Sequence, residues 1–108
     1  MTVPDPRSVT VPDPGSWKVV EVSGELDCAQ AGSLRRTIDR TLSQQSPPRL
    51  ALDLANVTFC DSYGLSVLVY AAKKVRERGG IVVLADTSRQ VRSLIKRCGL
   101  EALLPLAS

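Results

Sequence analysis

Phe59-Cys60-Asp61-Ser62-Tyr63-Gly64-Leu65 is the stretch on which the reading of this chain turns. Before it, Arg49-Leu50-Ala51-Leu52-Asp53-Leu54 reads as an apolar strand, with Asp53 near its carboxyl end and Ala55 to Cys60 as the connection that follows. After it, Leu65, Leu68, Val69, Ala72 and Val75 recur at i, i+3, i+4, i+7 and i+10, the apolar stripe of an amphipathic helix that starts near Ser62 and stops at Gly79-Gly80. A buried strand that feeds a helix N-terminus in this way is the basic unit of an α/β protein.

The flanks repeat that unit. Trp17-Lys18-Val19-Val20-Glu21-Val22 alternates partially, as a strand does, and is expected to stop at Ser23-Gly24. Asp27 followed three residues later by Gln30 forms a capping box, and Ala31, Leu34, Ile38 and Leu42 supply a helix that Ser46-Pro47-Pro48 ends. Ile81-Val82-Val83-Leu84-Ala85 is an uninterrupted apolar run, read as a strand buried on both faces with Val82 and Leu84 among the most buried residues. Thr87 with Gln90 caps a third helix whose inner face is Val91, Leu94, Ile95 and Cys98, closed by Gly99. Leu103 to Leu106 forms a last short strand in this reading. Alternating strands and helices predict an α/β single domain over residues 17–108, a small and mostly parallel sheet with amphipathic helices packed mainly on one face. Residues 1–16 hold the repeat Val3-Pro4-Asp5-Pro6 and Val11-Pro12-Asp13-Pro14, so an extended Pro-rich segment is expected there, with Ser8 to Val11 as the piece able to pair as an edge strand.

Composition narrows the function classes. A chain of 108 residues that is 44% hydrophobic and 23% charged has room for one globular domain and enough apolar surface to fold it. It has no histidine, the commonest general base and metal-ligand nitrogen, which argues against a hydrolase or a metal centre. The net charge is only +3, and the basic run Lys73-Lys74-Val75-Arg76-Glu77-Arg78 has no interleaved aromatic, so it reads as a solvated helix end rather than a nucleic-acid surface. Cys28, Cys60 and Cys98 are an odd number at wide spacing, expected as free cysteines in a reducing cytoplasm. Cys28 and Cys60 stand near helix N-termini that could lower a thiol pKa, yet free cysteine is most often buried and inert. No apolar run approaches the roughly 20 residues that span a bilayer, so no membrane insertion is expected. Glu25, Asp27, Asp53, Asp61 and Asp86 follow strands while Lys73, Lys74, Arg76, Arg78, Lys96 and Arg97 end helices, giving the domain two poles of opposite charge through ordinary helix-dipole complementarity.

Gly24-Glu25-Leu26-Asp27 before the first helix, Asp61-Ser62 with Gly64-Leu65 at the second, Gly79-Gly80 before an apolar strand and Cys98-Gly99-Leu100 after the third helix resemble, in order and spacing, the STAS family of sulfate transporters and anti-sigma-factor antagonists. The resemblance covers nearly all of residues 17 to 106. For a stand-alone member it implies an anti-sigma factor antagonist, a small bacterial regulator and not an enzyme, with no cofactor, whose partner is an anti-sigma factor that is commonly an ATP-dependent serine kinase. It implies that the serine after the motif's aspartate, here Ser62, is phosphorylated, that a phosphatase reverses this, and that Glu25, Asp27, Asp61, Ser62, Tyr63, Gly64 and Leu65 meet the partner. Tyr63 departs from the family pattern, which has Ser or Thr at that position. On local chemistry alone Ser62 is a helix N-cap, and Glu25 and Asp27 are capping residues as well. Two other readings are a STAS scaffold without a phosphorylation cycle and a Mg²⁺-dependent phosphotransfer domain built on Asp53 and Asp61.

Overall fold

A computed structural model describes residues 17–106, so the Pro-rich repeat and its candidate edge strand lie outside the described residues. Six elements follow one another: β1 (Lys18–Leu26), α1 (Cys28–Leu42), β2 (Arg49–Cys60), α2 (Ser62–Glu77), β3 (Ile81–Thr87) and α3 (Arg89–Arg97). The strands lie in the order β1-β2-β3 and both pairings are parallel, as expected where each connection contains a helix.

Two strands run further than expected, and they do so together. β1 does not stop at Ser23-Gly24, and Ala55 to Cys60 is not a connection but the second half of β2. The ladder survives by shifting register between Glu21 and Ser23 and again between Gly24 and Glu25, after which Leu26 lies opposite Cys60. Gly24 takes φ +80°, a conformation open to glycine at little steric cost, so the strand bends there instead of ending. At the first shift the Asp53 carboxylate accepts a hydrogen bond from the Ala55 N–H at 3.1 Å. Asp53 is therefore a buried mid-strand residue, not one at a carboxyl edge.

All three helices bury their apolar stripes in one core. Leu34 and Ile38 of α1, Leu68 and Val75 of α2, and Val91 and Ile95 of α3 pack with Val20, Leu50, Leu52 and Leu84 of the sheet. Among the described residues the opposite face carries a small cluster of Ala51 and Ala85 with Trp17, Val19 and Val83. Among the described residues β3 is thus covered unevenly: Val82 and Leu84 are buried on the core face, whereas on the other face Ala85 is buried, Val83 is half-buried and Ile81 is 51% exposed. Helix α2 is covered by α1 as well as by the sheet, which widens its stripe to Val67 and Ala71 and leaves Val69 half-buried.

The chain leaves β3 one residue later than expected. Thr87 is still paired with Leu54, and the Ser88 N–H donates to the Leu54 carbonyl at 3.1 Å, so Ser88 and not Thr87 is the N-cap of α3. Cys98 is the C-cap, where the chain turns outward, and is exposed rather than part of the inner face. The expected strand at Leu103 to Leu106 reduces to one parallel bridge between Leu106 and Leu84.

Candidate functional site

Because β1 and β2 are parallel and finish opposite one another at Leu26 and Cys60, the next residue of each is an aspartate that caps a helix. The Asp27 carboxylate accepts from the N–H groups of Ala29 at 3.1 Å and Gln30 at 3.2 Å. The Asp61 carboxylate accepts from the Gly64 N–H at 2.9 Å, and the Asp61 N–H donates to the Leu26 carbonyl at 3.3 Å, tying the two junctions together. Two helix N-termini, each with its own carboxylate, therefore stand side by side at one edge of the sheet.

Ser62 is not the cap. Asp61, in an extended conformation, does that work, and Ser62 is the first residue inside α2. Its side chain is exposed and has no hydrogen-bond partner among the described residues. Beside it Tyr63 is 62% exposed, and Phe59, 43% exposed, lies across the ladder from the exposed Glu25. Phe59 stands outside the expected set of contact residues. Its signal is the alternation with buried Cys60, legible only once this stretch is known to be a strand.

Gly64 and Leu65 are buried and support this face from beneath. The first turn of α2 comes so close to β1 that a Cβ on Gly64 would run into the carbonyl oxygen of Leu26 and within 2.7 Å of its Cγ. Between β1 and α1, next to Glu25, lies a shallow cavity of about 110 Å³ lined by Ser23, Gln30 and Ser33 among others.

The cysteines separate by environment. Cys60 is buried, its Sγ donates to the Asp61 carbonyl at 3.5 Å, and its thiol pKa is pushed up from 9.0 to about 11, first by burial and second by the Asp61 charge. Desolvation outweighs any help from the helix N-terminus. Cys28, expected to be buried, is exposed, as is Cys98. With a thiol reagent at neutral pH, Cys28 and Cys98 are expected to react quickly and Cys60 only on unfolding; three equal rates in a mass-resolved time course would contradict this placement. The folded chain keeps the Cys60 proton that the unfolded chain gives up above about pH 9, so this group lowers stability as pH rises from 9.0 to about 11.

The carboxylates of the phosphotransfer reading are not brought together. Asp53 lies in the middle of β2 and Asp61 just past its end, eight residues further on, roughly 25 Å of chain at the rise of a strand. The ladder neighbours of Asp53 are Glu21 on β1 and Asp86 on β3, not Asp61. Among the described residues no three His, Cys, Asp or Glu side chains are grouped to hold a metal ion, and no helix is long and apolar enough to cross a membrane.

The profile of the STAS domain matches residues 8–108. An anti-sigma F factor antagonist of Paenibacillus polymyxa is 30% identical over 88 residues, 82% of this chain and 75% of that protein. The anti-sigma-F factor antagonist RsfB of Mycobacterium tuberculosis is 30% identical over 92 residues, which cover 83% of this chain and 75% of that one. Among solved structures, that of an anti-sigma factor antagonist from Mycobacterium paratuberculosis is 35% identical with a TM-score of 0.73, the match covering 92% of this chain and 83% of the other.

Proposed function

The chain belongs to the STAS domain family, and on that premise we propose that it is an anti-sigma factor antagonist: a cytoplasmic regulator, not an enzyme, that binds an anti-sigma factor of the serine-kinase type, so releases a sigma factor, and is switched off by phosphorylation of Ser62 until a phosphatase resets it. The observation that carries this reading is the division of labour at the start of α2. Asp61 holds the helix N-terminus, which leaves the Ser62 hydroxyl exposed and free. A phosphoryl group can be added there without breaking any bond that holds the fold. The charge it brings, about −1.5 to −2, would sit in the positive field of the helix N-terminus but beside the Asp61 carboxylate and in the middle of the contact face. That face is formed by Glu25, Asp27, Asp61, Ser62 and Tyr63, with Gly64 and Leu65 fixing its backbone from below.

The test is retention from an extract of the native cells on immobilised wild-type and phosphorylated protein. The wild type is expected to retain a protein that mass spectrometry identifies as an anti-sigma factor with a kinase domain, and the phosphorylated form is expected to lose it. Equal retention by both forms would favour the scaffold reading and overturn the switch.

Tyr63 is a large exposed aromatic at the centre of this face, the kind of side chain that anchors interfaces. Tyr63→Ser is expected to weaken partner binding by about 1–2 kcal/mol and to leave the melting temperature unchanged. Calorimetric titration together with a thermal melt checks both halves; a sharp fall in melting temperature with unaltered affinity would remove Tyr63 from the interface.

A further inference from the structure

None of the residues lining a second cavity, between α3 and the turn at residues 101–106, belongs to the contact face. It measures about 280 Å³ and is lined by Arg92, Ile95, Lys96, Glu101, Leu104 and Leu106. Its lining divides by chemistry. Ile95 and Leu104 are buried and Leu106 is 48% exposed, so three aliphatic side chains form an apolar wall that is partly open to solvent. Arg92 and Lys96 stand four residues apart on α3 and so share one side of the helix. Arg92 reaches the Thr87 carbonyl at 3.4 Å, whereas the Lys96 ammonium has neither an ion pair nor a hydrogen bond among the described residues. Glu101 is the one acid of the lining and forms no ion pair with either cation, leaving a formal charge of +1 around the cavity.

We propose that this cavity binds a small amphiphilic carboxylate, its short chain against Ile95, Leu104 and Leu106 and its carboxylate on Lys96 and Arg92. The volume lies just below the roughly 300–1,000 Å³ typical of small-molecule pockets, which suits a single short chain and is too small for a nucleotide or a two-chain lipid. No aromatic side chain is present to stack a base, and a single carboxylate is a poor seat for a divalent cation. Apolar contact supplies affinity, and the charge-assisted hydrogen bonds to two cations select an anion over a neutral chain.

The test is a titration of the full ¹⁵N-labelled chain with sodium octanoate, followed through its amide chemical shifts. Saturable shifts confined to α3 and residues 100–106 are expected. Lys96→Gln, at an exposed position, is expected to weaken binding by about tenfold, the scale of one charge-assisted hydrogen bond. Leu106→Ser is expected to weaken it as well, and 1-octanol, with the same chain and no charge, to bind less tightly than octanoate. Shifts that do not saturate or that scatter over the surface, octanol binding as tight as octanoate, or an unchanged affinity in Lys96→Gln would overturn the proposal.

Discussion

Ser62→Asp is expected to fold like the wild type and to lose its partner. In the free protein the new carboxylate stands at the first position of α2, exposed, where the helix dipole contributes about 0.3–1 kcal/mol of stabilisation and the neighbouring Asp61 charge offsets part of it. The net change in stability is small. In the complex the same charge must be stripped of water or set against an apolar or acidic partner surface, at a cost of several kcal/mol, and each 1.4 kcal/mol is about tenfold in Kd. The interface effect wins, so affinity is expected to fall by at least a hundredfold, about 2.7 kcal/mol, while the melting temperature moves by a few degrees at most. Ser62→Ala removes no hydrogen bond and is expected to bind as wild type does. Calorimetric titration of the captured anti-sigma factor with the three proteins measures this directly, and equal affinity for Ser62→Asp and wild type would remove Ser62 from the switch.

The second large effect is expected at Gly64, and it is on the fold. A methyl group there meets the Leu26 carbonyl oxygen and lies 2.7 Å from Leu26 Cγ and 3.0 Å from its carbonyl carbon. Leu26 is almost fully buried at the end of β1, and its carbonyl also accepts the Asp61 N–H, so it cannot step aside without disturbing both junctions. Overpacking of this kind costs about 1–3 kcal/mol. At roughly 4–8 °C per kcal/mol for a domain near this size, Gly64→Ala is expected to lower the melting temperature by about 5–20 °C. Partner binding is expected to weaken too, because relief of the clash shifts the turn that carries Ser62 and Tyr63. An unchanged thermal melt, followed by circular dichroism, would contradict the close approach of α2 to β1.

What the amino-acid sequence disclosed, and what it withheld, divides along local and non-local interactions. The helices were readable because Leu34, Ile38 and Leu42, or Leu65, Leu68 and Val75, carry their period within the element, and because Asp27 caps within three residues of itself. The far halves of β1 and β2 were not. Ser23-Gly24 and Ala55-Asn56 have poor strand propensity, and they pair only because the Gly24 bend, the register shifts and the Asp53 to Ala55 bond let two distant stretches stay in contact. Phe59 was hidden for the same reason, since its outward direction follows from a strand that local pattern does not reveal. At α2 and α3 two adjacent residues could each cap the helix, Asp61 or Ser62 and Thr87 or Ser88. The choice falls where the sheet ladder releases the chain, which is a tertiary event. The resemblance pointed to Ser62 as a phosphorylation site; the structure shows its side chain exposed and the capping done by Asp61.

The measurement that bears most directly on this account is the position of the phosphate. Wild-type protein incubated with ATP and the captured kinase is predicted to gain one phosphate, mapped by tandem mass spectrometry to Ser62, and Ser62→Ala is predicted to gain none. A phosphate on another residue, or equal phosphorylation of Ser62→Ala, would contradict the assignment of the switch to the start of α2.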